Sequence, residues 1–266
     1  MIRVVVCQLP IGQGRLTLRQ KLAIRRYGAD FVCLPEYFLM PKNSIDYSLF
    51  AASYNRNIEY LARLSRDLQT ILIGGTIVTN MRGSYQNTAF VFENGYRVGS
   101  YSKVYPTVGE CEKGIAPGKS FVSWKVDGIR IGVLICADVL HHEAFTELGE
   151  HSVDIIFSPT LSPYRPDDTV EARQKRDNDI FVRGANTAGS FIVKTCAIGR
   201  VFGKPLRGRS LIASPWKLLW KVPVEFEEKD MIYGFDLDIT RLQEFRRKSL
   251  IERIVNGNTV LKETNL

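Results

Sequence analysis

The sequence predicts an α/β protein built as a four-layer α-β-β-α sandwich. Apolar runs of strand length alternate with amphipathic runs of helix length along the chain. Tyr27-Gly-Ala-Asp-Phe-Val-Cys-Leu-Pro-Glu36 is echoed by Ser152-Val-Asp-Ile-Ile-Phe-Ser-Pro-Thr160. Each is a helix end, an acidic residue, an apolar run and then a proline, so two related halves are expected, each a sheet covered by helices. The dipeptides Asn94-Gly95 and Asp127-Gly128 each separate two strand-like runs and signal two-residue hairpins. Packing the two sheets face to face buries one face of each and leaves the helices outside.

Taken in order, residues 3–8 read as a strand and residues 16–27 as a helix, with Gly28 as its C′ stop. Residues 30–34 form a buried strand ending at Pro35-Glu36. Residues 53–68 form a helix with Ile58, Leu61, Leu64 and Leu68 towards one face. Residues 71–79 are the next strand; its Gly74-Gly75 lacks the spacing and lysine of a phosphate loop, so close backbone packing explains it better. The hairpins cover 87–103 and 121–135. A helix at 143–148, a strand at 154–158 and a long polar helix at 168–188 follow. Strands at 191–197, 210–213 and 231–237 precede a basic helix at 240–249, and residues 250–266 read as an extended tail.

The 266 residues carry no linker rich in Pro, Gly or Ser, so a single domain over 1–266 with that tail is expected. No apolar run approaches the roughly 20 residues that span a bilayer, and the first ten residues are too short for a signal peptide, which points to a cytoplasmic protein without membrane partners. Five scattered cysteines suggest neither a disulfide framework nor a metal site, and Cys7, Cys33 and Cys196 sit inside apolar strands as small buried hydrophobes. The net charge of +8 is dispersed and no nucleic-acid-binding motif accompanies it, so it reads as surface charge rather than as a nucleic-acid footprint.

The chemistry concentrates at Cys136, which ends the apolar run Ile129-Arg-Ile-Gly-Val-Leu-Ile-Cys136. A thiol at a strand-to-helix turn, with Asp138 as N-cap, is exposed at the sheet edge and faces the positive end of a helix, which favours the nucleophilic thiolate. Glu36 ends a buried strand, where partial desolvation suits a general base; a surface glutamate fits the same position equally. Lys103 stands in a proline-fixed aromatic loop and can serve as an oxyanion cation, although its spacing also fits a surface lysine. Glu110, ending the same loop, can orient Lys103 or remain solvated. His141-His142 follows the cysteine closely, but adjacent helical residues face different ways, and rim or surface histidines are expected. Arg165 and Arg173 offer a clamp for a substrate carboxylate, against the simpler reading of solvent-facing arginines.

Leu34-Pro-Glu36, Lys103-Val-Tyr-Pro with Glu110, and Gly132-Val-Leu-Ile-Cys136-Ala-Asp138, in this order, resemble the nitrilase superfamily of carbon–nitrogen hydrolases. Pro117-Gly118 and Gly208-Arg-Ser-Leu-Ile-Ala-Ser-Pro215 fit the same pattern, and the similarity runs from residue 1 to about 240. The resemblance implies an αββα sandwich with a catalytic Glu36–Lys103–Cys136 triad, Glu110 shaping the site, no metal or organic cofactor, and a homodimer or higher homo-oligomer. It further implies that Glu36 moves the protons, Cys136 forms a thioester, and Lys103 with the Ala137 N–H holds the oxyanion. Nitrilases proper carry Trp-Glu after the cysteine; Ala137-Asp138 is closer to the amidase and carbamoylase branches. The expected substrate is a small non-peptide amide or N-carbamoyl compound, with a nitrile or an acyl acceptor other than water as alternatives and a non-catalytic scaffold as the competing class. The small Ala137 leaves room for a bulky acyl group.

Overall fold

The computed structural model describes residues 1–81 and 83–263. Its strands are β1 (Ile2–Pro10), β2 (Phe31–Cys33), β3 (Ile71–Met81), β4 (Ser84–Glu93), β5 (Tyr96–Ser102), β6 (Ser123–Val126), β7 (Ile129–Val133), β8 (Ile155–Thr160), β9 (Phe191–Val201), β10 (Lys204–Leu206), β11 (Leu211–Ser214), β12 (Lys217–Lys221) and β13 (Met231–Leu237). Its helices are α1 (Leu18–Arg26), α2 (Ser48–Ala52), α3 (Tyr54–Leu68), α4 (Val108–Cys111), α5 (His142–Glu150), α6 (Val170–Asp177), α7 (Arg183–Ala188) and α8 (Ile239–Glu263).

One sheet runs β5-β4-β3-β2-β1-β13 and the other β6-β7-β8-β9-β11-β12, joined where Leu9 and Pro10 of β1 pair in parallel with Ala197 and Ile198 of β9. The inner faces share one apolar cluster, in which Val4, Phe31 and Ile73 from the first sheet meet Val133, Ile155 and Phe157 from the second. The Phe31 and Phe157 rings lie 5.6 Å apart across that interface. Outside, Ile24 of α1 and Leu61, Leu64 and Leu68 of α3 cover Val5, Val32 and Leu72. On the opposite face Phe145 and Leu148 of α5 and Ala185 of α7 cover Ile156 and Ile192. This is the four-layer sandwich.

The sequence echo has a backbone counterpart. Asp30 and Asp154 begin the paired segments, and their carboxylates accept from Arg3 N and Arg130 N at 2.7 and 2.9 Å. Each aspartate's own N–H donates back to the same arginine's carbonyl. Each carbonyl then accepts the first N–H of the next parallel strand, from Ile71 or Phe191. The short aspartate side chain thus launches a parallel strand in both halves. Both hairpins turn through two consecutive positive-φ residues, Asn94 and Gly95 (49° and 86°) and Asp127 and Gly128 (48° and 81°), as two-residue loops of the primed type require.

The sequence reading had no counterpart for α2, α4, β10 or β12, and three of its expectations take a different form. Asp138 is not the N-cap of α5; that position is His141, and Asp138 lies inside a single 3-10 turn, Cys136–Leu140. The polar helix over 170–188 is continuous but widens to a π turn at Asn178–Val182. Residues 250–263 are helical, because α8 continues past Ser249; no proline interrupts the segment, so helix propagation continues. Among the described residues no helix is long and apolar enough to cross a membrane.

Gly74-Gly75 is a point of close approach, as expected. A Cβ on Gly74 would come within 2.6 Å of Leu61 Cδ1, and one on Gly75 within 2.2 Å of the Pro35 carbonyl oxygen. Gly75 also adopts φ +66°, so its conformation and contact both favour glycine. Pro35 immediately precedes Glu36, which ties this packing to the chemistry below. Gly75→Ala is expected to lose about 2–4 kcal/mol of stability by combining left-handed strain with overpacking, read as a lower urea midpoint. A midpoint within error of wild type contradicts the close approach.

Candidate active site

Glu36, Lys103, Glu110 and Cys136 arrive from four separate places in the chain and line one cavity of about 530 Å³. Glu36 follows β2 in a turn whose next residue, Tyr37, has φ +53° and is pinned by its N–H to Thr76 Oγ1 at 3.1 Å. Lys103 leaves β5 with its N–H on the Asn87 carbonyl and its own carbonyl accepting from Gly118 N. Glu110 lies in α4 in a capping box with Thr107, whose N–H donates to Glu110 Oε2 at 2.9 Å. Cys136 begins the 3-10 turn after β7 with φ +49°, an unusual conformation for a side-chain-bearing residue.

The centre is an ionic network. Lys103 Nζ lies 3.1 Å from Glu36 Oε1 and 2.7 Å from Glu110 Oε2, and Lys103 and Glu36 are each 1% exposed. Asn87 Nδ2 donates to Glu36 Oε1 at 2.8 Å and to Glu110 Oε1 at 2.9 Å. Tyr37 Oη donates to Glu110 Oε1 at 2.9 Å. Leu161, just beyond β8, donates its N–H to Glu36 Oε2 at 2.8 Å, and its carbonyl accepts from Cys136 Sγ at 3.3 Å. One peptide segment therefore touches both the carboxylate and the thiol.

The environment separates the two carboxylates. Burial pushes Glu36 above its ordinary value; Lys103 opposes this, while the negative Glu110 adds to it. Burial also works against Glu110, but Lys103 and the donors around it hold its carboxyl below the ordinary value. Burial would lower Lys103, and the charges of Glu36, Cys136 and Glu110 overcome it, so the ammonium is kept. Burial pushes the Cys136 thiol well up, and Glu36 adds to the shift against the pull of Lys103. The thiolate expected from a helix end is therefore not the resting form: the turn is one short 3-10 segment, and a desolvated site beside a carboxylate outweighs its small dipole.

Asp138 has a different role from the one its spacing suggested. It is buried, and its carboxylate accepts from Ile135 N at 2.9 Å, Tyr105 N at 2.8 Å and Tyr101 Oη at 2.7 Å. It ties the cysteine turn to the lysine loop. The first hydrogen bond of the turn runs from Asp138 N to the Ile135 carbonyl, so the Cys136 and Ala137 N–H groups lie ahead of it, where helical donors lack intrahelical partners. Ala137 lines the cavity.

The histidines stay outside: His141 stacks on the Tyr105 ring at 3.6 Å, and neither His141 nor His142 lines the cavity. Arg165 lines it, whereas Arg173 is committed to Glu227 through contacts of 2.8 and 3.1 Å. Sequence reasoning missed Asn87, Tyr37 and Leu161. Asn87 lies inside a strand, Tyr37 reads as core, and Leu161 acts through its backbone, so only their placement gives them meaning.

The carbon-nitrogen hydrolase family model matches residues 4–247, and the chain belongs to that family, whose chemistry is hydrolysis of a carbon–nitrogen bond. The chain is 24% identical over 237 residues to human omega-amidase NIT2, covering 83% of this chain and 81% of that protein. It is also 24% identical over 224 residues to a nitrilase of Pyrococcus abyssi, covering 81% and 80%. A carbon-nitrogen hydrolase from Helicobacter pylori G27 shares the fold at a TM-score of 0.78 and 19% identity, over 98% of each chain. An amidase from Nesterenkonia sp. AN1 does so at 0.76 and 17%, over 95% of this chain and 96% of that one.

Asn87→Ala removes a donor from both carboxylates. Because that hydrogen bond lowers the Glu36 pKa, its loss should raise it further. If Glu36 must be ionised for turnover, the acid limb of kcat/KM should move to higher pH. A limb unmoved in an Asn87→Ala enzyme that still folds contradicts this role for Asn87.

Proposed function

We propose that the chain hydrolyses the carbon–nitrogen bond of a non-peptide amide through a thioester on Cys136, with Glu36 and Lys103 completing the triad. The observation that carries this reading is the fully buried Glu36–Lys103 pair beside a cavity-facing thiol. The omega-amidase and amidase relatives support an amide over a nitrile.

Glu36, ionised, takes the Sγ proton as sulfur attacks the amide carbon, and the carbonyl π electrons move onto oxygen. The raised thiol pKa makes a base in place a requirement, since the proton leaves only as the C–S bond forms. Lys103 Nζ and the Ala137 N–H hold the oxyanion; Lys103 keeps its charge throughout. Collapse breaks the C–N bond, Glu36 returns its proton to the nitrogen, and ammonia leaves. Water then attacks the thioester with Glu36 again as base, and the protonated thiol and the acid product are released. Glu110, held ionised, fixes Lys103 and takes no proton. The raised Glu36 pKa suits it to accept and return a proton in the same cycle.

A reducing cytoplasmic setting and a homodimer belong to the same proposal. Five free thiols, with Cys111 exposed, suit a reducing compartment. Sedimentation velocity tests the dimer.

Cys136→Ala should abolish turnover with its melting temperature near wild type, because the residue is chemical rather than core. Ammonia release from ω-amides, N-carbamoyl amino acids, aliphatic amides and nitriles tests the reading with that variant as blank; release independent of Cys136 overturns it. Glu36→Gln should lower acylation by about 10²–10⁴-fold and leave no burst of thioester. In the wild type, activity should fall on the acid side along a limb centred above the usual carboxylate range, since Glu36 is raised and must be ionised. A full burst in Glu36→Gln removes Glu36 as the first base.

A further inference from the structure

Asp138 is wholly buried and takes no part in the chemistry above. Its three partners are uncharged donors: Tyr105 N on Oδ1, and Ile135 N and Tyr101 Oη on Oδ2. Burying a carboxylate among neutral donors is costly, and a hydrogen-bonded link between two segments does not require a charge. A carboxylate differs from a neutral side chain in having two oxygens that both only accept. One of them faces the lysine loop and the other faces the cysteine turn. An asparagine of the same shape has one acceptor oxygen, so its amide NH2 would meet a backbone N–H on one side or the other.

These bonds hold the parts that attack on an amide needs. On the lysine side, Tyr105 lies two residues after Lys103, and Val104 N donates to Tyr101 Oη at 3.4 Å. Lys103 N donates to the Asn87 carbonyl, so the lysine backbone is held from β4 on one side and from Asp138 on the other. On the cysteine side, Asp138 grips the Ile135 peptide twice. Its own N–H donates to the Ile135 carbonyl at 3.1 Å, and its Oδ2 accepts from Ile135 N at 2.9 Å. That double contact closes a turn in which Cys136 has φ +49°, a strained conformation in a single short 3-10 segment. Among the described residues, every hydrogen bond between residues 101–105 and the 136–140 turn ends on Asp138.

We propose that Asp138 is a positioning residue for the oxyanion: it fixes the separation of Lys103 Nζ from the Ala137 N–H, the two donors that the amide oxygen meets as Sγ attacks. This rests on the hydrolase reading and adds to it a residue that acts without touching the substrate. The expected effect is selective. Attack on a carbonyl carbon places charge on oxygen and depends on both donors. Attack of the same thiol on sulfur does not. With methyl methanethiosulfonate, an S–S bond forms to Cys136 Sγ, the reagent's own S–S bond breaks, methanesulfinate leaves with the electron pair, and the thiol proton passes to Glu36. No oxyanion develops between Lys103 and Ala137 in that reaction.

The test measures both reactions in wild type, Asp138→Asn and Tyr101→Phe. Amide turnover is read as ammonia release from whichever of butanamide and glutaramate the wild type hydrolyses, and thiomethylation of Cys136 is read by peptide mass. In Asp138→Asn, kcat should fall about 10²-fold, the cost of a misplacement of about 1 Å, with little change in KM and a thiomethylation rate close to wild type. Unchanged turnover overturns the proposal. So does an equal loss of both rates, which marks Asp138 as structural only. If Asp138→Asn does not fold, Tyr101→Phe decides, because it removes one donor and keeps the ring. Its turnover should fall about 10-fold, as for a lost hydrogen bond to a charged group, against unchanged thiomethylation; no fall overturns the proposal. If the wild type hydrolyses neither amide, the hydrolase reading fails on these amides and butanal judges Asp138 without turnover. Sγ adds to the butanal carbonyl carbon and the π electrons move onto oxygen, which shields Cys136 from thiomethylation. Asp138→Asn or Tyr101→Phe should need more butanal than wild type for the same shielding. Equal shielding, or none in the wild type, overturns the proposal.

Discussion

The Lys103 ammonium is buried between two carboxylates, and the catalytic end of the sandwich is organised around that fact. A cation with 1% exposure loses its hydration and must recover the cost from protein groups. It does so with one oxygen from Glu36 and one from Glu110, while Asn87 bridges the same two side chains. These four residues come from the β2 turn, β4, the end of β5 and α4. The charge network is thus also a structural clamp that gathers the loops at one end of the first sheet. Removing Lys103 leaves two buried carboxylates without their cation, a loss of about 3–5 kcal/mol by the usual behaviour of such pairs.

The thiol belongs to the other sheet, and its coupling to the clamp is mostly backbone. Leu161 donates its N–H to Glu36 and its carbonyl accepts a hydrogen bond from the thiol. Asp138 ties the cysteine turn to the lysine loop through Tyr105 N and Tyr101 Oη. These contacts offset the strain of positive φ at Cys136, which for a non-glycine residue costs about 1–3 kcal/mol. The left-handed turn lifts the thiol out of the strand line, and the Ala137 N–H precedes the first hydrogen bond of the same turn, where the proposed mechanism would use it. Strain and thiol placement are consequences of one local conformation.

Much of this was legible in the sequence, because the signals were local. Apolar runs located the strands, Asn94-Gly95 and Asp127-Gly128 the hairpins, and Asp30 and Asp154 the two strand starts. The residue order of Glu36, Lys103, Glu110 and Cys136 resembled a family pattern, and the fold brings all four to one cavity. Properties that depend on distant partners were not legible. The helix-end argument for a thiolate at Cys136 failed because burial and Glu36, a hundred residues away in sequence, dominate its proton affinity. Asp138 looked like a helix cap because Tyr101 and Tyr105 cannot be paired with it from spacing. Residues 250–263 looked extended because Asn256-Gly-Asn-Thr259 is a poor helix-forming run, yet the helix continues from α8 through it.

The two halves share a frame and differ in what their strand ends supply. After β2 the chain offers a side-chain carboxylate, Glu36. After β8, at the matching end of the echoed segment, it offers peptide groups, those of Leu161. The first choice concentrates charge, which then needs Lys103, Glu110 and Asn87 around it. The second places no carboxylate at the end of β8, where Leu161 meets both Glu36 and Cys136 through its backbone. Two otherwise equivalent strand ends thus differ in kind, one carrying a buried charge and the other offering peptide groups to it.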